Sequence, residues 1–145
     1  MSVQQEELQL AKRVSSKMHE LDNQANQLGI EVLDVGPGYA KLSLTVKEEM
    51  LNGLGILHGG VTFSLADTAF AHACNSRNNK TVALSCNITY SQAAKLGDVL
   101  TAIAEEKTLK GRTGVYDVTV LNEQDTVVAL FRGNSYRTSD SVLDN

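Results

Sequence analysis

The chain has 145 residues. That length suggests one domain and suffices to bury about 70% of the surface that the unfolded form exposes. Its 13 Lys and Arg against 17 Asp and Glu give a net charge of −4, which excludes a general polyanion binder, so nucleic acid is not an expected partner. No apolar run reaches the ~18 residues of a membrane span, so no membrane association is expected.

The opening "MSVQQEELQLAKRV" carries charges where a signal peptide needs a hydrophobic core, and a cytoplasmic location is expected. Residues 4–21 read as a helix, with Leu8, Leu10, Ala11, Val14, Met18 and Leu21 at roughly helical spacing among charged residues. "DNQANQLG" is expected to unwind to Gly29. "IEVLDV" at 30–35 is a short strand, "GPG" is a turn, and "YAKLSLTV" at 39–46 alternates with Ala40, Leu42, Leu44 and Val46 on one face. "KEEMLNGLGILH" reads as a short turn and a Gly-rich loop. A hydrophobic helix follows, from Gly59 to about Arg77. The pattern then changes to period two over 81–90, 98–109, 114–121 and 126–137, joined by short turns as in antiparallel hairpins. Over 81–90, Val82, Leu84, Cys86, Ile88 and Tyr90 fall on one face. The tail, about 139–145, is polar and expected to fray. Cys74 and Cys86 form neither a CxxC motif nor a disulfide framework and read as reduced, buried thiols.

These elements sum to one α+β domain over 1–145: a long antiparallel sheet, a central hydrophobic helix and an N-terminal helix. A helix that is apolar on most sides must be wrapped, and a curved sheet does that.

The central helix carries the unusual chemistry. On a helical wheel Phe63, Ala66, Phe70, Ala73 and Cys74 share one face, with Asp67 at its edge and Ser64, Thr68 and Asn75 on the adjoining polar strip. None of Phe63, Ser64, Phe70 and Ala71, the three- and four-residue neighbours of Asp67, is cationic, so no local ion pair explains the acid. Asp67 is then an acid on an exposed strip, a structural partner for a distant cation, or a catalytic group. Gly59 and Gly60 at the helix start either permit a tight turn or let a ligand approach the backbone, where unpaired N–H groups and the helix dipole suit an oxyanion. His58 reads equally as a capping or packing residue.

Helix arithmetic constrains the catalytic option. Eight residues separate Gly59 from Asp67, about 12 Å of rise, while a reacting carbon needs both base and oxyanion donor near ~3 Å. One copy of the helix cannot bring both to a single carbonyl. Two antiparallel copies can, so a catalytic unit is at least a dimer with two related sites.

Other chemistries fit poorly. "HGG" lacks the G-x-S-x-G elbow of serine esterases, and "GLGILHGG" has His58 where a dinucleotide fingerprint needs glycine. His19, His58 and His72 do not combine with the cysteines at zinc spacing, so no metal site is expected.

Six motifs occur in order: "LNG" at 51–53, "HGG" at 58–60, "SLADTAFAHACNS" at 64–76, "AKLGD" at 94–98, "TGVYDV" at 113–118 and "VALFRG" at 128–133. Together they resemble the hotdog-fold acyl-CoA thioesterases, in the phenylacetate-degradation (PaaI-like) branch, over a core of about 30–138. The resemblance implies a central helix wrapped by a five- or six-stranded antiparallel sheet, and a homodimer with a continuous sheet, often paired into a homotetramer. It also implies hydrolysis of acyl-CoA thioesters at the dimer interface, with aromatic, phenylacetyl-type acyl groups favoured and no metal or redox cofactor. In this resemblance Asp67 is the general base or nucleophile, the Gly59 N–H polarises the thioester carbonyl, and Asn52 and His58 place the carbonyl or water and shape the loop. The chain departs from the pattern at Gln92-Ala93, where relatives often have Arg-Pro or Ser-Pro, and at Ala83, where some have Ser or Thr. Ser85 and Thr68 are then the remaining candidates for a water-orienting hydroxyl. For CoA contacts the candidates are Gly60 and the strand-end cations Lys95, Lys110 and Arg112, which read alternatively as solvated turn charges. The rival functions are a hotdog acyl-thioester hydratase or dehydratase, with His58 as its histidine, and a non-catalytic acyl-CoA-binding protein.

Overall fold

The structure is a computed structural model and describes residues 1–144. Helix α1 (Val3–Leu21) starts at a reciprocal cap. The Gln5 N–H donates to the Ser2 hydroxyl at 3.1 Å, and the Ser2 N–H donates to the Gln5 side chain at 2.9 Å. The segment expected to unwind after it is instead a second helix, α2 (Asn23–Leu28). The reason is Asp22, whose carboxylate accepts from the Ala25 N–H at 3.0 Å and caps a new helix where the first one ends. Gly29, at φ 75°, ends α2 in the left-handed region.

The six strands are β1 (Glu31–Gly36), β2 (Tyr39–Thr45), β3 (Asn79–Tyr90), β4 (Val99–Lys110), β5 (Thr113–Leu121) and β6 (Val127–Ser141). They form one antiparallel sheet in the order β1-β2-β4-β5-β6-β3. The long helix α3 (Gly59–Cys74) lies in its concave side against β2, β4 and β5. This is the wrapped helix that the hydropathy pattern requires. Phe70 anchors it, stacked edge-on against Tyr116 at 5.6 Å and tilted against Phe131 at 5.7 Å. Gly133 on β6 makes room for that ring, since a Cβ there would lie 2.7 Å from Phe70. Helix α1 covers β1 and the C-terminal half of α3.

Three details differ from the sequence reading. A bulge between Ala83 and Ser85 breaks the alternation of β3, so Val82 and Leu84 are exposed while Cys86 and Ile88 pack partly against the core. Cys86 is therefore only half-buried, unlike Cys74. The expected frayed tail is held up to Leu143. Strand β6 runs to Ser141, and the Val142 and Leu143 N–H groups donate to the Asn78 side chain at 3.1 and 2.8 Å. Asn145 lies outside the described residues.

The two sheet edges differ. Edge β1 is short and lies beside α1, whereas edge β3 is 12 residues long and presents Val82, Leu84 and Tyr90 to solvent in the single chain. A long apolar edge with unpaired backbone groups is a template for another strand.

Candidate active site at the start of the central helix

The loop before α3 folds around Asn52. Its backbone N–H donates to the Ile56 carbonyl at 2.8 Å, and its side-chain oxygen accepts from the Leu54 and Ile56 N–H groups at 2.9 and 3.3 Å. The amide NH2 of Asn52 has no acceptor among the described residues, so it remains a free donor. The loop is pinned at its far end as well, because the Leu57 and His58 N–H groups donate to Ala94 and Met50 carbonyls at 2.8 and 2.9 Å.

His58 is the N-cap of α3. Its Nδ1 accepts from the Gly60 N–H at 3.2 Å, and its carbonyl accepts from Val61 and Thr62 at 2.9 and 3.4 Å. Every first-turn donor is thus satisfied except one. The Gly59 N–H has no acceptor among the described residues, and it points out of the positive end of a 16-residue helix. It opens on a cleft of about 280 Å³ lined by Asn52, Gly59, Thr62, Tyr90 and the Ser91–Ala94 segment. A larger groove, of about 600 Å³ between α1 and β1, contains neither Gly59 nor Asp67.

Asp67 sits two turns further along, half-buried, with no hydrogen bond and no ion pair among the described residues. Burial raises its pKa above the ordinary carboxylate value, and the charge of Asp22 adds to that. Its own charge helps to raise the thiols of Cys74 and Cys86, although burial is the main cause at both and takes Cys74 to about 12. The charge of Asp67 is thus felt at Cys86 on β3, as that of Asp22 is felt at Asp67. A half-buried carboxylate with no partner is poised to accept a proton, and no structural cation accounts for it.

Of the other expected site residues, Asn52 and Gly59 line one cleft, while His58 and Gly60 cap the helix beside it. Lys95 follows the Ser91–Ala94 wall of the cleft. Lys110 and Arg112 do not join it within one chain, for they lie at the far end of β4, roughly 36 Å of strand from Val99. Arg112 there donates to the Arg137 carbonyl at 3.1 Å. The Thr68 hydroxyl is spent on the Ser64 carbonyl at 2.6 Å, and Ser85 on the open edge strand accepts from Asn134 at 3.0 Å. Sequence spacing gave no sign of Tyr90, whose hydroxyl donates to the Gly59 carbonyl at 2.9 Å across 31 positions.

Among the described residues no cluster of three metal-ligating side chains occurs, and no helix is long and apolar enough to cross a membrane.

Residues 54–129 match the family described as the Thioesterase superfamily. The acyl-coenzyme A thioesterase PaaI of Escherichia coli (strain K12) is 45% identical over 125 residues, covering 86% of this chain and 89% of that protein. The solved structure of the E. coli PaaI protein, from the phenylacetic acid degradation operon, superposes with a TM-score of 0.91 at 42% identity over 92% of this chain and 97% of that one. A hypothetical thioesterase of Streptococcus pneumoniae TIGR4, solved with coenzyme A, superposes with a TM-score of 0.80 at 27% identity over 86% of this chain and 98% of that one. An open helix N-terminus, a partnerless acid on the same helix and a sheet wrapped around both thus stand in a chain that belongs to the thioesterase superfamily: it is a hotdog-fold thioesterase of the PaaI-like branch.

Proposed function

We propose that the protein hydrolyses acyl-CoA thioesters to free CoA and a carboxylic acid, with phenylacetyl-type aromatic acyl groups favoured, at sites built across a homodimer. The observation that carries this reading is the Gly59 N–H, the one first-turn donor of α3 with no acceptor among the described residues. A preorganised donor at a helix N-terminus stabilises the oxyanion that forms when a thioester carbonyl is attacked. The free amide of Asn52 lies in the same cleft and supplies a second polar contact. Asp67, with its raised pKa and no partner, activates water or attacks the carbonyl itself. The reaction needs no metal or redox cofactor. The E. coli relative is named as an acyl-CoA thioesterase and belongs to a phenylacetic acid operon, which supports the substrate class.

The shared site follows from distance. About 12 Å of helix rise separates Gly59 from Asp67, so each site takes its donor from one subunit and its acid from the other. The free β3 edge, long and apolar, supports pairing through β3. The cleft of one chain, about 280 Å³, is below the range of roughly 300–1,000 Å³ usual for ligand pockets. A partner subunit supplies the missing wall and brings Lys110 and Arg112 from the opposite end of its own sheet to the CoA phosphates. Pairs of dimers form the tetramer, and the protein works in the cytoplasm.

Subunit mixing tests the shared site. Asp67→Asn and Gly59→Pro variants are each expected to be nearly inactive. Exchanged into heterodimers, they combine both defects in one site and leave the other intact, so up to half of the heterodimer sites regain full turnover. Differently tagged subunits that form mixed dimers without regaining activity would overturn it. Release of free thiol from an acyl-CoA panel separates hydrolysis from hydration and from binding without turnover.

A further inference from the structure

We propose that Tyr90 is a positioning residue for the hydrolytic reaction: its phenol fixes the Gly59–Gly60 peptide, which adjoins the His58–Gly59 peptide that carries the oxyanion donor, and its ring sets the limit of approach at that end of the cleft. The inference rests on the reading of Gly59 as that donor. Two contacts carry it. The Tyr90 hydroxyl donates to the Gly59 carbonyl at 2.9 Å, and His58 Nδ1 accepts from the Gly60 N–H at 3.2 Å. These two groups are the opposite edges of one peptide unit, so the Gly59–Gly60 plane is gripped from both sides. Gly59, like its neighbour Gly60, has the wide backbone freedom of glycine. The donor N–H sits in the preceding His58–Gly59 peptide, whose carbonyl accepts from Val61 and Thr62, so the phenol acts on it across the Gly59 Cα, and a donor misplaced by a fraction of an ångström loses much of its effect on a developing charge.

The ring adds a steric element. A Cβ at position 59 would lie 3.1 Å from Tyr90 Cζ and 3.2 Å from Oη. A side chain at 59 is therefore tight against Tyr90, whose ring would have to give by a few tenths of an ångström. Tyr90 also lines the cleft with Asn52, Gly59 and Thr62. In the single chain its relative exposure is 50%, so the ring lies outside the core of its own subunit.

The test uses the full-length protein and four variants: Tyr90→Phe, Tyr90→Ala, Gly59→Ala and the double Tyr90→Ala/Gly59→Ala. Tyr90→Phe is expected to lower kcat about three- to tenfold, the worth of one hydrogen bond, with KM and Tm close to wild type. A merely structural role would move Tm and leave kcat. Gly59→Ala is expected to cost more in kcat when Tyr90 is present than when residue 90 is alanine, because the smaller residue relieves the 3.1 Å contact. Wild-type kcat in Tyr90→Phe, or additive effects in the double variant, would overturn the proposal. Comparison of Gly59→Pro with Gly59→Ala separates the two levels. Equal activity of that pair removes the donor reading itself, whereas a dead proline variant beside a fully active Tyr90→Phe removes only the role of Tyr90.

Discussion

The two ends of α3 are built in opposite ways. At the C-terminal end the buried polar side chains are engaged, apart from His72 Nε2. The Asn75 amide donates to Ala71 and Thr81 carbonyls at 2.9 and 3.1 Å, and its oxygen accepts from the Thr81 N–H at 2.8 Å. The Ser76 hydroxyl donates to the Ala73 carbonyl at 2.7 Å and accepts from the Gly38 N–H at 2.8 Å. Ser15 of α1 bonds His72 Nδ1 at 2.7 Å, and Arg77 forms a fork with Glu106 at 2.8 and 3.0 Å. At the N-terminal end the Gly59 N–H and the Asn52 amide are left over, and His58 and Gly60 are exposed. Saturated groups anchor, because losing any one strands its buried partner. An unsatisfied donor in a cleft is available to a substrate. The closed end holds the helix still so that the open end can keep its geometry.

The largest effect at the open end should come from removing its free backbone donor, the Gly59 N–H. Proline is favoured at the first helical position, which Gly59 occupies, so the helix can accept it. Any side chain at 59 also meets the Tyr90 ring at 3.1 Å, so the proper reference is Gly59→Ala and not the native chain. Relative to Gly59→Ala, Gly59→Pro should lose about 10²–10³ in kcat. A ratio near one, in steady-state thioesterase assays, would break the contrast between the ends.

The closed end can be probed by acid. His72 is 2% exposed and its Nε2 has no partner among the described residues. Burial pushes its pKa down to about 4, helped by His19 and opposed by Asp22. The unfolded chain binds a proton near pH 6.5 and the native one does not, so stability is present above that pH and is lost as pH falls towards 4. Between pH 7.5 and 4.5 the native chain should lose about 2–3 kcal/mol more than His72→Gln does. Urea unfolding at the two pH values measures it. Equal losses would mean that the helix end does not depend on a neutral His72.

Midway between the ends, Gly133→Ala should cost about 1–3 kcal/mol by driving a methyl group into Phe70, 2.7 Å away. Unfolding should shift while KM changes little if the seat of the helix and the cleft are separable. A variant as stable as the native chain would show that Phe70 can move without cost.

How much of this contrast was legible in the sequence follows from the same residues. The wrapped helix was legible, because an apolar run such as Ala66, Ala69, Phe70 and Ala73 has few other solutions. The alternating strands after it gave the sheet. Asp67 and the His58–Gly60 start were visible as oddities of composition. What stayed hidden depends on long-range contact. The Leu84 bulge that exposes the apolar face of β3, the reach of Tyr90 to Gly59 and the Ser15–His72 bond join positions far apart in the chain, and no local period encodes them. Helix α2 was missed for a nearer reason: Asp22 both ends one helix and caps the next.

The smallest expected shift in stability is also the sharpest test of what Asp67 is for. Its carboxyl pKa is raised, chiefly by desolvation, so the native state disfavours the charged form. The stabilising influence of the group is then fullest below the ordinary carboxylate pKa and is lost as pH rises through the raised native value. Ionising this half-buried group as pH rises costs stability, because no hydrogen bond or ion pair among the described residues offsets the charge. Asp67→Asn removes that charge at almost the same size. The variant should therefore melt slightly higher than the native chain at pH 7, with the difference shrinking as pH falls towards 3, where both side chains are neutral. Calorimetry across that range reads the sign directly. An acid retained for structure would behave in the opposite way, and its loss would lower Tm at neutral pH. A variant that is more stable yet loses on the order of 10²–10⁴ in turnover would mark Asp67 as a group kept at the expense of the fold. Asn75→Ala at the closed end should show no such trade, since the buried Asn75 amide bonds the Thr81 backbone in both directions and its loss only destabilises.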